Sequence, residues 1–353
     1  MSGALVQLVA QGIHNSYLVS NPIRSVETVE NFMNLYPNNK SSKCIFQRNS
    51  DMMHVINIIF HLNISNMTLE NFKNIMKESV LKFYITDLDE SKEYFTTFYN
   101  MSTLMELNEM KKIGNDIVIT LPKYLIPYII SLSQQYCKPI FEINKIDTSL
   151  FDKIGILNEL TFFNTVERRN YAGRAHNTII QTLSTWNSIC NKNGFAQVDL
   201  DLGLDIDRQV KGYLVESDHV AELNSIELYT GNKRKLYYNK ESLDAHSIKI
   251  SDRLIYVGIT KNNTYKNINY IDHLNFIKHE AKLGSNSCKV LVNFDNKNEQ
   301  IPFKLHAVCF NALSYMGGFC GKYTGAIDSL FASDQVRANG DRLPNYDIFE
   351  TNF

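Results

Sequence analysis

Polar and apolar residues alternate without a break along QVDLDLGLDI (197–206), which places Val198, Leu200, Leu202, Leu204 and Ile206 on one face of an extended strand. Shorter runs rich in Ile, Val, Phe and Tyr recur along most of the chain. In the first half they are ESVLKFYITD (78–87), NDIVITLP (115–122), KPIFEINKI (138–146) and KIGILNELTFF (153–163). In the second they are KGYLVE (211–216), LNSIELYT (223–230), HSIKI (246–250), RLIYVGIT (253–260), SCKVLVNFD (287–295) and FKLHAVCFN (303–311). In KCIFQRNSDMMHVINIIFHLNI (43–64) two such runs flank Arg48-Asn49-Ser50-Asp51, whose polar residues suit a turn. Two segments read differently. Phe95, Phe98, Met101 and Met105 recur at three- to four-residue spacing in DESKEYFTTFYNMSTLMELNEMKK (89–112), which predicts a helix. ERRNYAGRAHNTIIQTLSTW (167–186) is expected to contain a turn or two of helix.

About a dozen to sixteen short strands separated by turns predict an all-β chain of sandwich or jelly-roll type. One sandwich would be overfull. The expectation is two tandem jelly-roll domains with one or two short helices in inserted loops, split at Cys190-Asn191-Lys192-Asn193-Gly194. That gives an N-terminal arm over 1–23, a first jelly roll over 24–190, a second over 195–322 and a polar, loop-like tail over 323–353. The arm opens MSGALVQLVAQG, which lacks both the basic start of a secretory signal and the length of a membrane span. Its Leu5, Val6, Leu8 and Val9 therefore need cover from the barrels or from a neighbouring chain. The tail carries Asp328, Asp334, Asp341, Asp347 and Glu350 against Arg337 and Arg342. Scattered apolar residues in it, Phe331, Phe349 and Phe353 among them, suit a partner-binding peptide.

Composition narrows the function. A length of 353 residues suits two domains, and 44% hydrophobic with 21% charged residues is globular. A net charge of −1 argues against a chain whose task is to neutralise phosphates, so no specific nucleic acid is expected. The cysteines at 44, 137, 190, 288, 309 and 320 form no CxxC pair and read as reduced thiols buried as small hydrophobes. His273 and His279, with Glu280 adjacent, are six apart by chance spacing, and no HExxH, GxSxG or phosphate-loop motif is present. The expectation is no enzyme, no catalytic residue, no cofactor and no metal. Arg168 and Arg169 are expected to pair with Glu167 or Glu159 in a structural role. Met316, Gly317, Gly318 and Gly321 follow a strand, so they either end it in a turn or admit a partner's backbone.

Four stretches, in order, resemble the major capsid proteins of nucleocytoplasmic large DNA viruses. GALVQLVAQGIHNSYLVSNP is similar to that family's N-terminal arm, and CIFQRNSDMM to its I-x-R-N-G-D turn. FFNTVERRNYAGRAHNTIIQTL resembles the segment that closes its first barrel, and LHAVCFNALSYMGGFCGKY its C-terminal glycine-containing segment. After Asn21-Pro22 the family's aromatic and basic run is missing, as is a recognisable Q-P-S-G-T element in the second half, so the resemblance is to a shortened, divergent paralogue. It implies a capsid structural protein with two jelly rolls per chain. Three such chains would form a pseudo-hexagonal capsomer of an icosahedral shell, located in the virion and assembled in the host cytoplasm. The implied partners are further copies of the chain in a homotrimer, other capsid proteins, and the inner membrane or minor capsid proteins through the arm. Taken with the reading of the arm, the glycines and the tail above, the expected interface is Leu5, Val6, Leu8, Val9, Met316, Gly317, Gly318, Phe331, Phe349 and Phe353. Two alternatives stay open. One is a jelly-roll module that binds glycans or a receptor through aromatics such as Tyr237, Tyr238, Tyr265 and Tyr270; the other is a scaffold or assembly protein absent from the mature virion.

Overall fold

A computed structural model describes residues 25–64, 66–121, 129, 134–166, 168, 176–200, 209–230, 233–258, 277–278, 288–295, 299–316 and 319–322. Its contacts fall into two compact units. The described residues of the first lie within 25–180 and 313–322, and those of the second within 181–312.

The first unit contains β1 (Ser25–Phe32), β2 (Asn34–Tyr36), β3 (Ser41–Ile45), β4 (Met52–Leu62), β5 (Val80–Asp87), β6 (Glu93–Asn100), β7 (Met110–Ile113), β8 (Asp116–Thr120), β9 (Cys137–Asn144) and β10 (Phe151–Phe162). They form two antiparallel sheets, ordered β1-β10-β4-β8-β7 and β2-β3-β9-β5-β6. Alternation sets the inward rows: Ile58 and Phe60 on β4, Ile117 and Ile119 on β8, and Leu81, Phe83 and Ile85 on β5 are all sealed from solvent. Helix α1 (Leu69–Ile75) starts where the Thr68 hydroxyl accepts the N–H of Asn71. It drops Phe72 against Phe60, ring centroids 5.1 Å apart. Helix α2 (Met101–Leu107) joins β6 to β7 and buries Met101, Leu104, Met105 and Leu107.

The remaining elements are β11 (His176–Ile189), β12 (Phe195–Leu200), β13 (Gln209–Glu216), β14 (Leu223–Thr230), β15 (Lys233–Tyr238), helix α3 (Lys240–His246), β16 (Ser247–Ser251), β17 (Leu254–Gly258), β18 (Ile277–Lys278), β19 (Cys288–Phe294), β20 (Pro302–Met316) and β21 (Phe319–Lys322). One sheet runs β11-β20-β13-β17-β16, with β18 on β13 and β21 on β20, and the other runs β12-β19-β14-β15. Ala196 and Val198 on β12 and Val290, Val292 and Phe294 on β19 share one buried cluster with Tyr213 and Val215 on β13 and Leu305 and Ala307 on β20. The core of this unit is the layer between its two sheets.

The same wiring occurs twice. Taking β1, β3, β4, β5, β6, β8, β9 and β10 as first to eighth, one sheet reads first-eighth-third-sixth and the other second-seventh-fourth-fifth. Taking β11, β12, β13, β14, β15, β17, β19 and β20 in the same way yields the identical order. Each unit also places a short helix after its fifth strand, α2 or α3, and then an extra strand, β7 or β16, hydrogen-bonded to the sixth. Two antiparallel sheets in this order are an eight-stranded jelly roll. The expected all-β chain with two jelly rolls and short helices is what the structure has.

One expected helix is a correction. Glu93–Asn100 is strand β6, paired with β5 from Val80↔Asn100 to Thr86↔Glu93, and only Met101–Leu107 is helical. EYFTTFYN also carries a period of two. Phe95, Thr97 and Tyr99 are buried while Phe98 between them is 54% exposed, and pairing with β5 selects that period over the helical one. In the 167–186 stretch, Arg168 is helical as expected, its N–H donating to Asn164 O at 2.9 Å, and the chain is strand from His176 onward. Leu202, Leu204 and Ile206 lie outside the described residues, whereas Val198 and Leu200 face the core as expected.

Gly212 on β13 makes room for a neighbour. A Cβ there would come within 2.5 Å of the Tyr256 hydroxyl, and Tyr256 on β17 is fully buried. Gly212→Ala is expected to cost about 1–3 kcal/mol through this overlap, read as a lower midpoint in denaturant unfolding with an unchanged slope.

Candidate functional site

Two of the sequence stretches singled out above meet at one end of the first unit. Asp51 closes the RNSD turn just before β4, and its side chain is only 6% exposed. Its Oδ2 accepts the backbone N–H of Phe163 at 2.7 Å and the Nη2 and Nε of Arg168 at 2.7 and 3.2 Å. Arg168 is therefore held by Asp51 and not by Glu159, one of its two expected partners. The role itself is structural, as expected: the joint ties the turn before β4 to the segment after β10. Glu167 and Arg169 lie outside the described residues.

Beside this joint, the ends of β3 and β5 and the start of β9 enclose a groove of about 270 Å³. Phe46, Met53 and Pro139 form its buried apolar part, and Ile45 and Leu88, 41% and 54% exposed, stand at its lips. The turn carrying Leu88 is held in shape. Asp87 Oδ1 accepts the N–H groups of Ser91 and Lys92 at 2.7 and 3.2 Å. Glu90, left-handed at φ 60°, takes the ammonium of Lys43 and, at 2.9 Å, that of Lys138. Hydrogen bonds from these two lysines hold the Glu90 carboxyl below the usual carboxylate range. The groove's volume falls short of the roughly 300–1,000 Å³ of small-molecule sites. A few side chains would fill it.

A hydroxyl–imidazole–carboxylate chain crosses the second unit. Thr185 Oγ1 lies 2.8 Å from His306 Nδ1, His306 Nε2 lies 3.2 Å from Glu216 Oε2, and Lys304 takes Glu216 Oε1 at 3.1 Å. His306 is sealed from solvent and Glu216 nearly so, and the chain runs straight across the neighbouring strands β11, β20 and β13. It satisfies buried polar groups within a sheet.

Of the expected interface residues, Met316 ends β20 and pairs with Phe319 on β21, so the chain reverses between them. Leu5, Val6, Leu8, Val9, Gly317, Gly318, Phe331, Phe349 and Phe353 lie outside the described residues, as do His273, His279 and Glu280. The aromatic cluster required by a glycan-binding module does not assemble in the described part. Tyr238 is buried with its hydroxyl donating to Gly258 O, Tyr237 is exposed under the Arg234 guanidinium, and Tyr265 and Tyr270 lie outside the described residues. Among the described residues no group of His, Cys, Asp and Glu could hold a metal ion, and no helix is long and apolar enough to cross a membrane. The groove and the Asp51 joint had no sequence signal of their own beyond the polar RNSD turn.

All six cysteines are buried and none forms a disulfide. Burial pushes the Cys44 and Cys137 thiols up to about 11 and Cys190 up to about 12.

Neither a protein-family model nor a curated protein matches the sequence. Solved structures do match the fold. VP54 of PBCV-1, fitted into a reconstruction of the virophage Sputnik, aligns with TM-score 0.57 and 9% identity over 85% of this chain and 96% of its own. The quasi-atomic model of the PBCV-1 capsid aligns with TM-score 0.58 and 9% identity over the same shares, 85% and 96%. The Faustovirus major capsid protein aligns with TM-score 0.53 and 7% identity over 89% of this chain and 97% of its own.

Two outcomes follow from the site. Thiol reagent at pH 8 should label no cysteine in the native protein and all six in denaturant; rapid native labelling would show that the thiols are accessible. Arg168→Ala should cost about 1–2 kcal/mol, and Asp51→Ala more, about 2–4, because it also strands the buried Phe163 N–H. A double-mutant cycle on unfolding midpoints measures the coupling.

Set beside these three structures, at identities too low to carry more than architecture, the chain has the double jelly-roll fold of viral major capsid proteins.

Proposed function

We propose that this chain is a structural subunit of a viral capsid, one that associates as a homotrimer into a pseudo-hexagonal block of an icosahedral shell. The observation that carries the reading is the repeated strand order, present in a fold shared with viral capsid proteins over 85% of this chain and 96% of theirs. Two barrels of one wiring in each of three chains present six similar barrels, which is the geometry a hexagonal tile needs. A cyclic trimer closes through one heterologous contact repeated three times. No chemistry is required of the chain; its work is shape and contact.

In this reading the arm and tail tie the block to what lies beneath the shell. The arm lies on the inner side, toward minor capsid proteins or an inner membrane, with Leu5, Val6, Leu8 and Val9 covered there, while Phe331, Phe349 and Phe353 engage other capsid proteins. Met316, Gly317 and Gly318 permit close approach of a partner backbone. The chain resides in the virion capsid and assembles in the host cytoplasm.

Light scattering on the purified protein should return the mass of three chains, and images should show a block with six lobes; a persistent monomer would overturn the reading. Deleting residues 324–353 is expected to leave the trimer intact and to reduce incorporation into shells. Loss of the trimer on that deletion would reject the division of labour between barrels and tail.

A further inference from the structure

The groove beside the Asp51 joint opens at the end of the first unit from which the N-terminal arm departs. Ser25 is the first residue of β1 and pairs with Phe162 on β10, while on the other side of β10 Thr161 pairs with Met52 and Leu160 with Met53. Met53 lines the groove. The start of β1 is thus about two strand spacings, roughly 10 Å, from the groove wall. The connection from residue 10 to residue 24 reaches about 50 Å when extended, so the arm has ample slack.

The chemistry of the two also matches. Residues 1–23 contain no Asp, Glu, Lys or Arg, and in LVQLVAQ (5–11) single amides separate apolar runs of two and three residues. The groove offers a buried apolar floor in Phe46 and Met53 and exposed apolar lips in Ile45 and Leu88. The exposed amides of Gln47 and Gln135 flank it and can serve an extended backbone. Of the cations in its wall, Lys138 is already taken by Glu90. Exposed apolar lips around a volume that holds only a few side chains call for a short apolar segment.

We infer that the Leu5–Val9 stretch of the arm seats in this groove of its own chain, pinning the arm at that end of the first unit. Tethering favours the chain's own arm over a neighbour's, because a short linker supplies an effective concentration in the millimolar range. Ile13–Val19 is then left to face partners. The inference deepens the capsid reading and rests on its requirement that the arm's apolar residues be covered.

The test uses the full-length chain with a photoreactive benzoylphenylalanine replacing Val6. After irradiation, the crosslinked peptides should map to residues 45–53, 88 or 134–139. In a mixture of isotopically light and heavy chains, crosslinks should join like with like. Ile45→Asp and Leu88→Asp alter side chains that are 41% and 54% exposed, and each should cut the crosslink yield at least about tenfold. Crosslinks elsewhere, light-to-heavy crosslinks, or yields indifferent to both substitutions would each overturn the inference. Mass measurements on the same samples keep the two readings apart. A trimer without the groove crosslink sinks only the docking, and a monomer that retains it sinks only the capsid reading.

Discussion

Val290, Val292 and Phe294 on β19 share a sealed layer with Tyr213 and Val215 on β13 and with Leu305 and Ala307 on β20, and the first unit builds its own buried rows in the same way. Each Val, Leu or Phe among them contributes about 1.5–3 kcal/mol by leaving water. Because the side-chain period of a strand is two, this layer also fixes register. Slipping β12 by one residue would replace Ala196, Val198 and Leu200 in the core by Phe195, Gln197 and Asp199. Burying an unpaired carboxylate and an amide would cost more than the strand gains. Pairing, connectivity and the positions of the loops all follow from keeping that layer dry.

What the layer does not use becomes available for contact. A sandwich consumes one row of each strand, leaving the outer rows, the edges and the strand ends to the rest of the protein's work. At one end of the first unit those leftovers are ordered by polar ties. Asp51 holds Phe163 and Arg168, Asp87 folds the turn after β5, and Glu90 anchors that turn to Lys43 and Lys138. These ties keep Leu88 and Ile45 at fixed positions on either side of an apolar groove. All six cysteines are likewise buried.

The repeated strand order bears on how little sequence a jelly roll demands. Both units place a short helix and an extra strand between their fifth and sixth strands, yet MSTLMEL in α2 and KESLDAH in α3 share only a buried leucine at the fourth position, Leu104 and Leu243. The first is buried on nearly every side, and the second buries only Leu243. The same tolerance explains identities of 7–9% to capsid proteins of like fold. A sandwich core accepts hydrophobic residues of about the right size in the right alternation, so identity drifts while the pattern persists.

The sequence by itself determined the class of fold and the location of most strands. Alternation and β-branched runs mark a buried face without reference to anything distant, and the runs at 78–87, 115–122, 138–146, 223–230 and 303–311 contain strands β5, β8, β9, β14 and most of β20. It also indicated that the cysteines belong to the interior. Tertiary structure decided whatever depended on a remote partner. YFTTFY fits both a helical and an extended period, and only its pairing with β5 separates them. Helices α1 and α3 are too short to show a periodic stripe, and each is set by a capping side chain and one buried contact, Phe72 or Leu243. Arg168 reaches Asp51 across 117 positions of chain, a distance over which no local pattern carries information. The groove, too, exists only because the ends of three strands from distant segments converge, and burial there is a property of the folded neighbourhood and not of any one residue.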